Sequence, residues 1–155
     1  MKETANKPKI LFVDFRNEFV DIVKRERGWQ AEFSNESVGG LRGEGCDNYD
    51  IAAIDESGCI IYEDGLRATY VLCPHSSPCR GEILCRNVIS CGMGLDSTFG
   101  ISSLREDKGM FSVSRTIRME SGELVPFETP FKPDNRLTPY ENIILHGIEE
   151  MLKCM

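Results

Sequence analysis

The first half of the chain is dominated by short, continuous apolar runs, two of which end in an acidic residue. Such runs are typical of β-strands that are buried on both faces of a parallel sheet. Arg16–Gly28 differs, because its apolar residues lie at helical spacing and predict a helix that stops at Gly28. A helical turn is predicted at Gly81–Arg86, and strands are predicted at Lys9–Phe15, Trp29–Phe33, Tyr49–Asp55, Ala68–Cys73 and Asn87–Cys91. This order predicts an α/β fold with a mainly parallel sheet and helices against it, in a three-layer-like arrangement.

The second half of the chain predicts antiparallel hairpins. Three strand-like runs follow one another, and turn residues at Asp107–Gly109 and Ser121–Gly122 separate them. The runs are Thr98–Leu104, Met110–Met119 and Leu124–Phe131. Their spacing indicates an antiparallel meander attached to the parallel part of the sheet.

The clearest helix signal lies near the end of the chain. Thr138 is followed by Pro139 and Glu141, an order that supplies a helix cap, a first-turn proline and a capping-box glutamate. An apolar stripe at helical spacing begins there and contains Tyr140, Ile144, Ile148, Met151 and Leu152. We therefore expect a C-terminal helix packed on the sheet, within a single α/β domain over residues 9–155 that follows a disordered lead-in at residues 1–8.

Composition and charge narrow the classes of partner. The chain has 155 residues, of which 41% are hydrophobic and 28% are charged, values that suit one globular domain. Its net charge of -7 disfavours nucleic acid and anionic membranes as partners, because both are bound by basic surfaces. The apolar run at Ile10–Val13 is too short for a signal peptide or a membrane span, so we expect a cytoplasmic location.

Polar side chains follow the predicted parallel strands at their carboxyl ends, which is where open α/β sheets bind ligands. The candidate catalytic residues at these ends are Asp14, Asp55 with Glu56 beside it, His75 and Cys91. A site requires these side chains to converge, which spacing along the chain does not show. The alternative interpretation is that the acids cap the next helix or face water.

The first half also resembles a response-regulator receiver domain. KILFVDF resembles the first strand of that family, and YDIAAID resembles the strand that ends in the phosphoaccepting aspartate. The resemblance implies that Asp55 is the acceptor and that Asp14 is a metal-binding acid. However, Phe15 stands where a second acid is usual, and no lysine between Lys24 and Lys108 is present to hold a phosphoryl group. The family resemblance therefore predicts at most a degenerate signalling domain.

The second half resembles the back part of the central domain of Mur ligases. In that family a strand ends in a glycine turn, antiparallel strands follow, and a helix opens after an arginine-led motif. Here the turn lies at Cys91–Gly94, and Arg136 and Tyr140 fall at the helix opening. The resemblance covers residues 88–152 best and implies that Gly92, Gly94, Arg136 and Tyr140 bind a ligand. The same stretch is similar to a set of short bacterial proteins of uncharacterised function.

The ATP-binding loop of Mur ligases is missing from this chain. That family has a GTxGKT loop between its first strand and first helix, where backbone amides and a lysine hold the ATP phosphates. This chain has Asp14-Phe15-Arg16-Asn17-Glu18 there, which contains no glycine and two carboxylates that repel phosphate. Leu137, Thr138 and Glu141 also replace the family's nucleotide-holding residues at the helix opening. We therefore expect no cofactor and no ATP-dependent ligase reaction.

The cysteines suggest a metal or redox alternative. The chain has seven cysteines, four of which recur every six residues with His75 inside the run. Zinc ligands usually come in pairs two to four residues apart, so the possible ligands Cys73, His75, Cys79 and Cys85 match that pattern poorly. Thiols that act as small hydrophobic side chains are the simpler interpretation. Cys91 before Gly92 is the candidate redox or nucleophilic thiol.

Three classes of function fit these observations. The first is a non-catalytic binding or interaction module on a Mur-ligase-like scaffold, with a small-molecule or protein ligand. The second is a small enzyme that uses Asp14, Asp55 and His75 at the edge of the sheet. The third is a cysteine-based metal or redox protein. An exposed hairpin edge or the apolar C-terminal helix would also allow a homodimer.

Overall fold

The structure, a computed structural model, describes residues 6–37, 48–57, 61–75, 80–84, 87–94 and 96–155. Within these ranges the chain forms helix α1 (Asn17–Glu26) and helix α2 (Pro139–Leu152). The strands of the first half are β1 (Lys9–Val13), β2 (Glu32–Glu36), β3 (Tyr49–Ile54), β4 (Ile61–Pro74), β5 (Arg80–Leu84) and β6 (Asn87–Gly92). Those of the second half are β7 (Phe99–Leu104), β8 (Gly109–Val113), β9 (Ile117–Met119), β10 (Gly122–Leu124) and β11 (Phe127–Phe131).

The main sheet is parallel from β2 to β7. Its strand order is β11-β8-β7-β6-β4-β3-β1-β2, and β5 also pairs in parallel with β4. Each neighbouring pair from β2 to β7 is parallel, so the carboxyl ends of these strands lie toward the same edge of the sheet. The predicted α/β class with a mainly parallel sheet is confirmed.

The hairpins of the second half extend the sheet in antiparallel fashion. β8 pairs with β7 on one side and with β11 on the other, while β9 and β10 form a separate two-stranded sheet. The predicted run Met110–Met119 is interrupted after Val113, where the polar segment 114–116 leaves the sheet. The predicted helical turn at Gly81–Arg86 is wrong, because β5 occupies Arg80–Leu84 and residues 85–86 lie outside the described ranges.

The central strands are buried on both faces, as their continuous apolar runs predict. Successive residues of a strand point to opposite faces, so one run supplies two hydrophobic surfaces. On one face, strand residues that include Ile10, Phe12 and Leu72 pack with buried residues of both helices. The other face carries a second cluster formed by Leu11, Val13, Ala52, Ile54, Ala68, Val71 and Cys73. In the described part of the chain, the helical layer therefore lies on one side of the sheet.

Helix α2 begins and packs as its sequence predicts. The Thr138 hydroxyl accepts a hydrogen bond from the Glu141 amide at 3.1 Å, and the Glu141 carboxylate accepts one from the Thr138 amide at 2.9 Å. Further along α2, a β-carbon at Gly147 would lie 2.5 Å from the ring of Phe99. This close approach fixes α2 against β7 and sets its first turn beside the carboxyl ends of the parallel strands.

The segment predicted as a disordered lead-in, residues 1–8, lies only partly within the described ranges. Of the expected lead-in, residues 6–8 have no regular secondary structure, although the Pro8 carbonyl accepts a hydrogen bond from the Glu32 amide at 2.9 Å. Residues 1–5 lie outside the described ranges. Neither described helix has the length and apolarity that crossing a membrane requires.

Candidate functional site

A step in the sheet separates β6 from β7. Although the two strands run in parallel, they pair only at Cys91 with Phe99 and at Gly92 with Gly100, so β7 begins where β6 ends. A β-carbon at Gly100 would lie 2.9 Å from the Gly92 carbonyl oxygen, which requires glycine at this point of close approach. The step leaves the described loop residues 93–94 and 96–98 at the carboxyl edge of the sheet.

A cleft opens at this step. It has a volume of about 370 Å³ and lies between the carboxyl ends of β4 and β6, the turn after β3, the loop residues Met93, Gly94 and Ser97, and the first turn of α2. Because the sequence places three strand ends and one helix start here, residues far apart in the chain share one surface. The lining residues are Glu56, Pro74, His75, Cys91, Gly92, Met93, Gly94, Ser97, Pro139, Tyr140 and Ile143.

Ser97 lines the cleft with a hydroxyl that has no hydrogen-bond partner among the described residues. The residue is only 2% exposed, and its oxygen lies 3.1 Å from the position that a β-carbon of Gly92 would take. Its backbone is firmly held, because the Ser97 amide donates to the Gly94 carbonyl and the Ser97 carbonyl accepts from the Ser114 hydroxyl. A buried hydroxyl without a partner costs about 1–3 kcal/mol, so this group marks a place where a ligand atom would be stabilised.

Tyr140 forms the wall of the cleft on the side of α2. Its hydroxyl donates a hydrogen bond to the Ile54 carbonyl at 2.6 Å, and its ring stacks on Phe15 with centroids 6.5 Å apart. The next residue, Glu141, is 2% exposed and accepts hydrogen bonds from the Arg16 guanidinium at 2.8 and 3.0 Å. These contacts tie the first turn of α2 to β3 and α1, so this wall is rigid.

The charge at the cleft is negative. Partial burial raises the pKa of Glu56, and repulsion from the carboxylates of Asp55 and Glu141 raises it further. Arg16 is the cation that contacts the first turn of α2, and its guanidinium forms ion pairs with Glu141 and Glu18. The described lining residues include one acidic residue, Glu56, and one histidine, His75. Neither lysine nor arginine is among them.

The structure gathers part of the predicted set of residues and separates the rest. His75, Cys91, Gly92, Gly94 and Tyr140 line the cleft, whereas Asp14, Asp55 and Arg136 are not among its lining residues.

Asp14 and Asp55 follow neighbouring strands, with the Asp55 amide donating to the Val13 carbonyl at 3.0 Å. The Asp55 carboxylate accepts a hydrogen bond from the Ser57 hydroxyl at 2.5 Å and so closes a local turn. Asp14 has a φ of 59°, a left-handed conformation that aspartate tolerates better than most residues. Both acids therefore lie at turns that follow their strands, and neither is among the lining residues of the cleft.

Arg136 forms ion pairs that join two segments, and it is not among the lining residues of the cleft. Its guanidinium donates to both carboxylate oxygens of Glu26, at 2.9 and 2.5 Å, and also to Asp134 at 2.8 Å. This arrangement connects the end of α1 to the segment that precedes α2.

The described cysteines do not converge on a common point. Cys91 lies in the core on the helical face of the sheet, and Cys73 lies in the cluster on the opposite face. Burial raises the pKa of the Cys91 thiol, so the group is protonated at neutral pH and is a poor nucleophile. Cys79 and Cys85 fall outside the described residues, as do Cys46 and Cys59. Within the described ranges, no group of three or more His, Cys, Asp or Glu side chains is arranged to hold a metal ion.

Sequence reasoning missed Ser97, Pro139 and Ile143 as lining residues. Proline and isoleucine at the start of a helix carry no signal for a binding site, since both have ordinary structural roles there. Ser97 follows the glycine turn by three positions, and its burial depends on the offset between β6 and β7.

Comparisons with protein-family models, with curated proteins and with solved structures give no match for this chain. The likeness to Mur ligases therefore stays a prediction based on short sequence motifs.

Proposed function

We propose that this protein is a non-catalytic binding domain that holds a small molecule in the cleft at the carboxyl edge of its sheet. The observation that carries the proposal is the Ser97 hydroxyl, which is buried at the cleft and lacks a hydrogen-bond partner among the described residues. A ligand that offers a hydrogen-bonding atom there would satisfy a group that the protein leaves unsatisfied.

The size and composition of the cleft support a small organic ligand. Its volume of about 370 Å³ lies at the lower end of the range of ligand pockets, which is roughly 300–1,000 Å³. Apolar walls from Pro74, Met93 and Ile143 surround a few polar groups, a composition typical of such sites. The exposed position of Met93, with 53% of its surface accessible, gives the ligand a flexible apolar contact.

The reactive groups near the cleft support binding rather than chemistry. The Cys91 thiol is held in its protonated form by burial, and the Asp55 carboxylate is engaged by Ser57. We further propose that the scaffold is of the Mur ligase type without the ATP-dependent reaction. The scaffold type is proposed from the sequence motifs. The lack of the ATP-dependent reaction is supported by the junction between β1 and α1, where Phe15 is buried and Glu18 lies in the first helical turn.

The proposal is tested with 2-phenylethanol, a probe that combines an apolar ring with one hydroxyl. In a titration followed by amide NMR shifts, we expect saturable changes that centre on residues 92–97, His75 and Tyr140. Ser97→Ala is expected to weaken this binding about 3- to 10-fold, because it removes one hydrogen bond worth about 0.5–1.5 kcal/mol. The variant should be no less stable than the parent, since the hydroxyl has no hydrogen-bond partner to lose among the described residues.

Ser102→Ala is the matched control, because Ser102 is an exposed serine of β7 outside the cleft. It should bind the probe as the parent does. Shift changes that do not saturate, or that centre on another surface, would contradict the proposed site. Equal affinity of Ser97→Ala and Ser102→Ala would remove the observation on which the proposal depends.

A further inference from the structure

The cleft contains a carboxylate that no described cation neutralises. Glu56 is an exposed residue that lines the same cleft as Ser97, and none of the ion pairs among the described residues includes it. The described lining residues also include His75, which lies on the turn after β4, and the buried residues Cys91 and Tyr140.

Arg16 and Arg136, which lie at the start of α1 and in the segment before α2, already form ion pairs with other carboxylates. Arg16 donates to both oxygens of Glu141 and to the carbonyl of Arg136, and Arg136 binds Glu26 and Asp134. Neither guanidinium is therefore available to Glu56 without breaking a contact that holds α1 to α2. The negative charge at the cleft is a fixed feature of this arrangement.

We infer that the cleft selects a ligand with an apolar body and a positively charged amine, which lies against the Glu56 carboxylate while a polar atom reaches the Ser97 hydroxyl. The inference rests on the proposed function, because it specifies the ligand class of that same site. Two independent observations support it: the unpaired carboxylate and the buried hydroxyl without a described partner. Partial burial and then repulsion from Asp55 and Glu141 raise the pKa of Glu56, and a cation would relieve that repulsion.

The same electrostatics disfavours phosphate and carboxylate ligands. A phosphate would need backbone amides or a cation directed toward it, and the described lining residues offer an exposed imidazole and a carboxylate. The Ser97 amide, which belongs to the glycine turn, is already bonded to the Gly94 carbonyl. An anion would therefore lie beside Glu56 without compensation.

Three probes that share a phenyl ring and a hydroxyl for Ser97 separate charge from shape: 2-amino-1-phenylethanol (the amine), 1-phenylethane-1,2-diol (the alcohol) and mandelate (the acid). At pH 7 and low salt we expect the amine to bind about three- to fivefold more tightly than the alcohol, the gain typical of a partly exposed ion pair. The acid should bind more weakly than the alcohol. Glu56→Gln should make the amine and the alcohol equal while the affinity for the alcohol stays as in the parent.

Glu128→Gln is the matched control, since it removes the same charge from the exposed surface of β11, away from the cleft. It should retain the preference for the amine. Equal binding of amine and alcohol to the parent, or an unchanged preference in Glu56→Gln, would overturn the inference and leave the binding site itself intact. Failure of all three probes to bind would overturn the proposed function together with the inference.

Discussion

His146 is a titratable residue inside the core that the cleft does not use. Its ring lies 4.5 Å from the ring of Phe131 and 6.1 Å from that of Phe111, and its Nε2 has no hydrogen-bond partner among the described residues. Burial lowers the pKa of His146, and the nearby Glu149 carboxylate, 3.7 Å from Nδ1, opposes this effect only in part. The remaining charges that act on it come from Glu150, Arg27 and Lys153.

This burial predicts a loss of stability at acidic pH. Because the folded-state pKa of His146 lies below its usual value of 6.5, the unfolded chain takes up the proton first as the pH falls. The stabilisation that comes from keeping His146 neutral in the folded protein is therefore fully present above pH 6.5. It is lost as the pH falls toward the folded-state pKa of His146. His146→Met, which keeps an adaptable apolar side chain here, should show a smaller fall in urea midpoint between pH 7.5 and pH 5.5 than the parent. An equal fall in both proteins would show that other groups cause it.

The sequence pattern places His146 on α2 but gives no sign of its environment. Its ring is buried because β8 and β11 bring Phe111 and Phe131 over this part of the helix, and such pairing between distant segments has no local signature. The sequence pattern likewise gives no sign of the ion pair between Arg136 and Glu26, because Glu26 lies far away in the chain at the end of α1.

At the scale of elements, the contact between α2 and β7 depends on Gly147, because glycine has no side chain to keep the two elements apart. A β-carbon at Gly147 would lie 2.5 Å from the Phe99 ring, which is itself fully buried. Gly147→Ala gains roughly 1 kcal/mol of helix propensity, but we expect the overpacking, which costs about 1–3 kcal/mol, to exceed that gain. Urea unfolding should therefore give a lower midpoint for Gly147→Ala than for the parent.

Gly122→Ala is the control for this substitution, because a β-carbon at Gly122 meets no atom within 4 Å. Its midpoint should stay within experimental error of the parent value. If Gly147→Ala proved as stable as the parent, the helix would have to be free to move away from Phe99, and the rigid wall of the cleft would be in question.

Elements were predictable where local signals agree with the tertiary fold. The buried strands β1 and β3 and the capped helix α2 follow from apolar runs and from a capping box. The segment Arg80–Leu84 was misread, because its charged residues suggest a turn while its pairing with the long strand β4 makes it a strand. Whether such a segment forms a strand depends on the neighbouring strand that pairs with it and not on its own residues.

At the scale of the whole molecule, the order of strands decides which predicted residues share a site. The rule that ligands bind at carboxyl ends directs attention to His75 and Cys91, and both line the cleft together with Gly92 and Gly94. Asp14 is excluded because β1 lies three positions from β6 in the sheet order, a separation of about 14 Å at the usual strand spacing of roughly 4.8 Å. That order is not readable from single strands, so sequence patterns indicate the edge of the sheet but not the position of the cleft along it.

The whole-molecule charge and the β1–α1 junction together predict that the protein does not bind ATP. The junction contains Asp14 and the buried Phe15, and the one cation there, Arg16, is held by Glu141. A net charge of -7 adds a general repulsion that is strongest at low salt. Titration calorimetry with Mg-ATP at low salt should show no saturable heat up to about 1 mM, which corresponds to a binding free energy weaker than about -4.1 kcal/mol. Arg16→Ala should behave in the same way, whereas saturable binding by the parent that this variant abolished would mean that Arg16 leaves Glu141 to hold a phosphate.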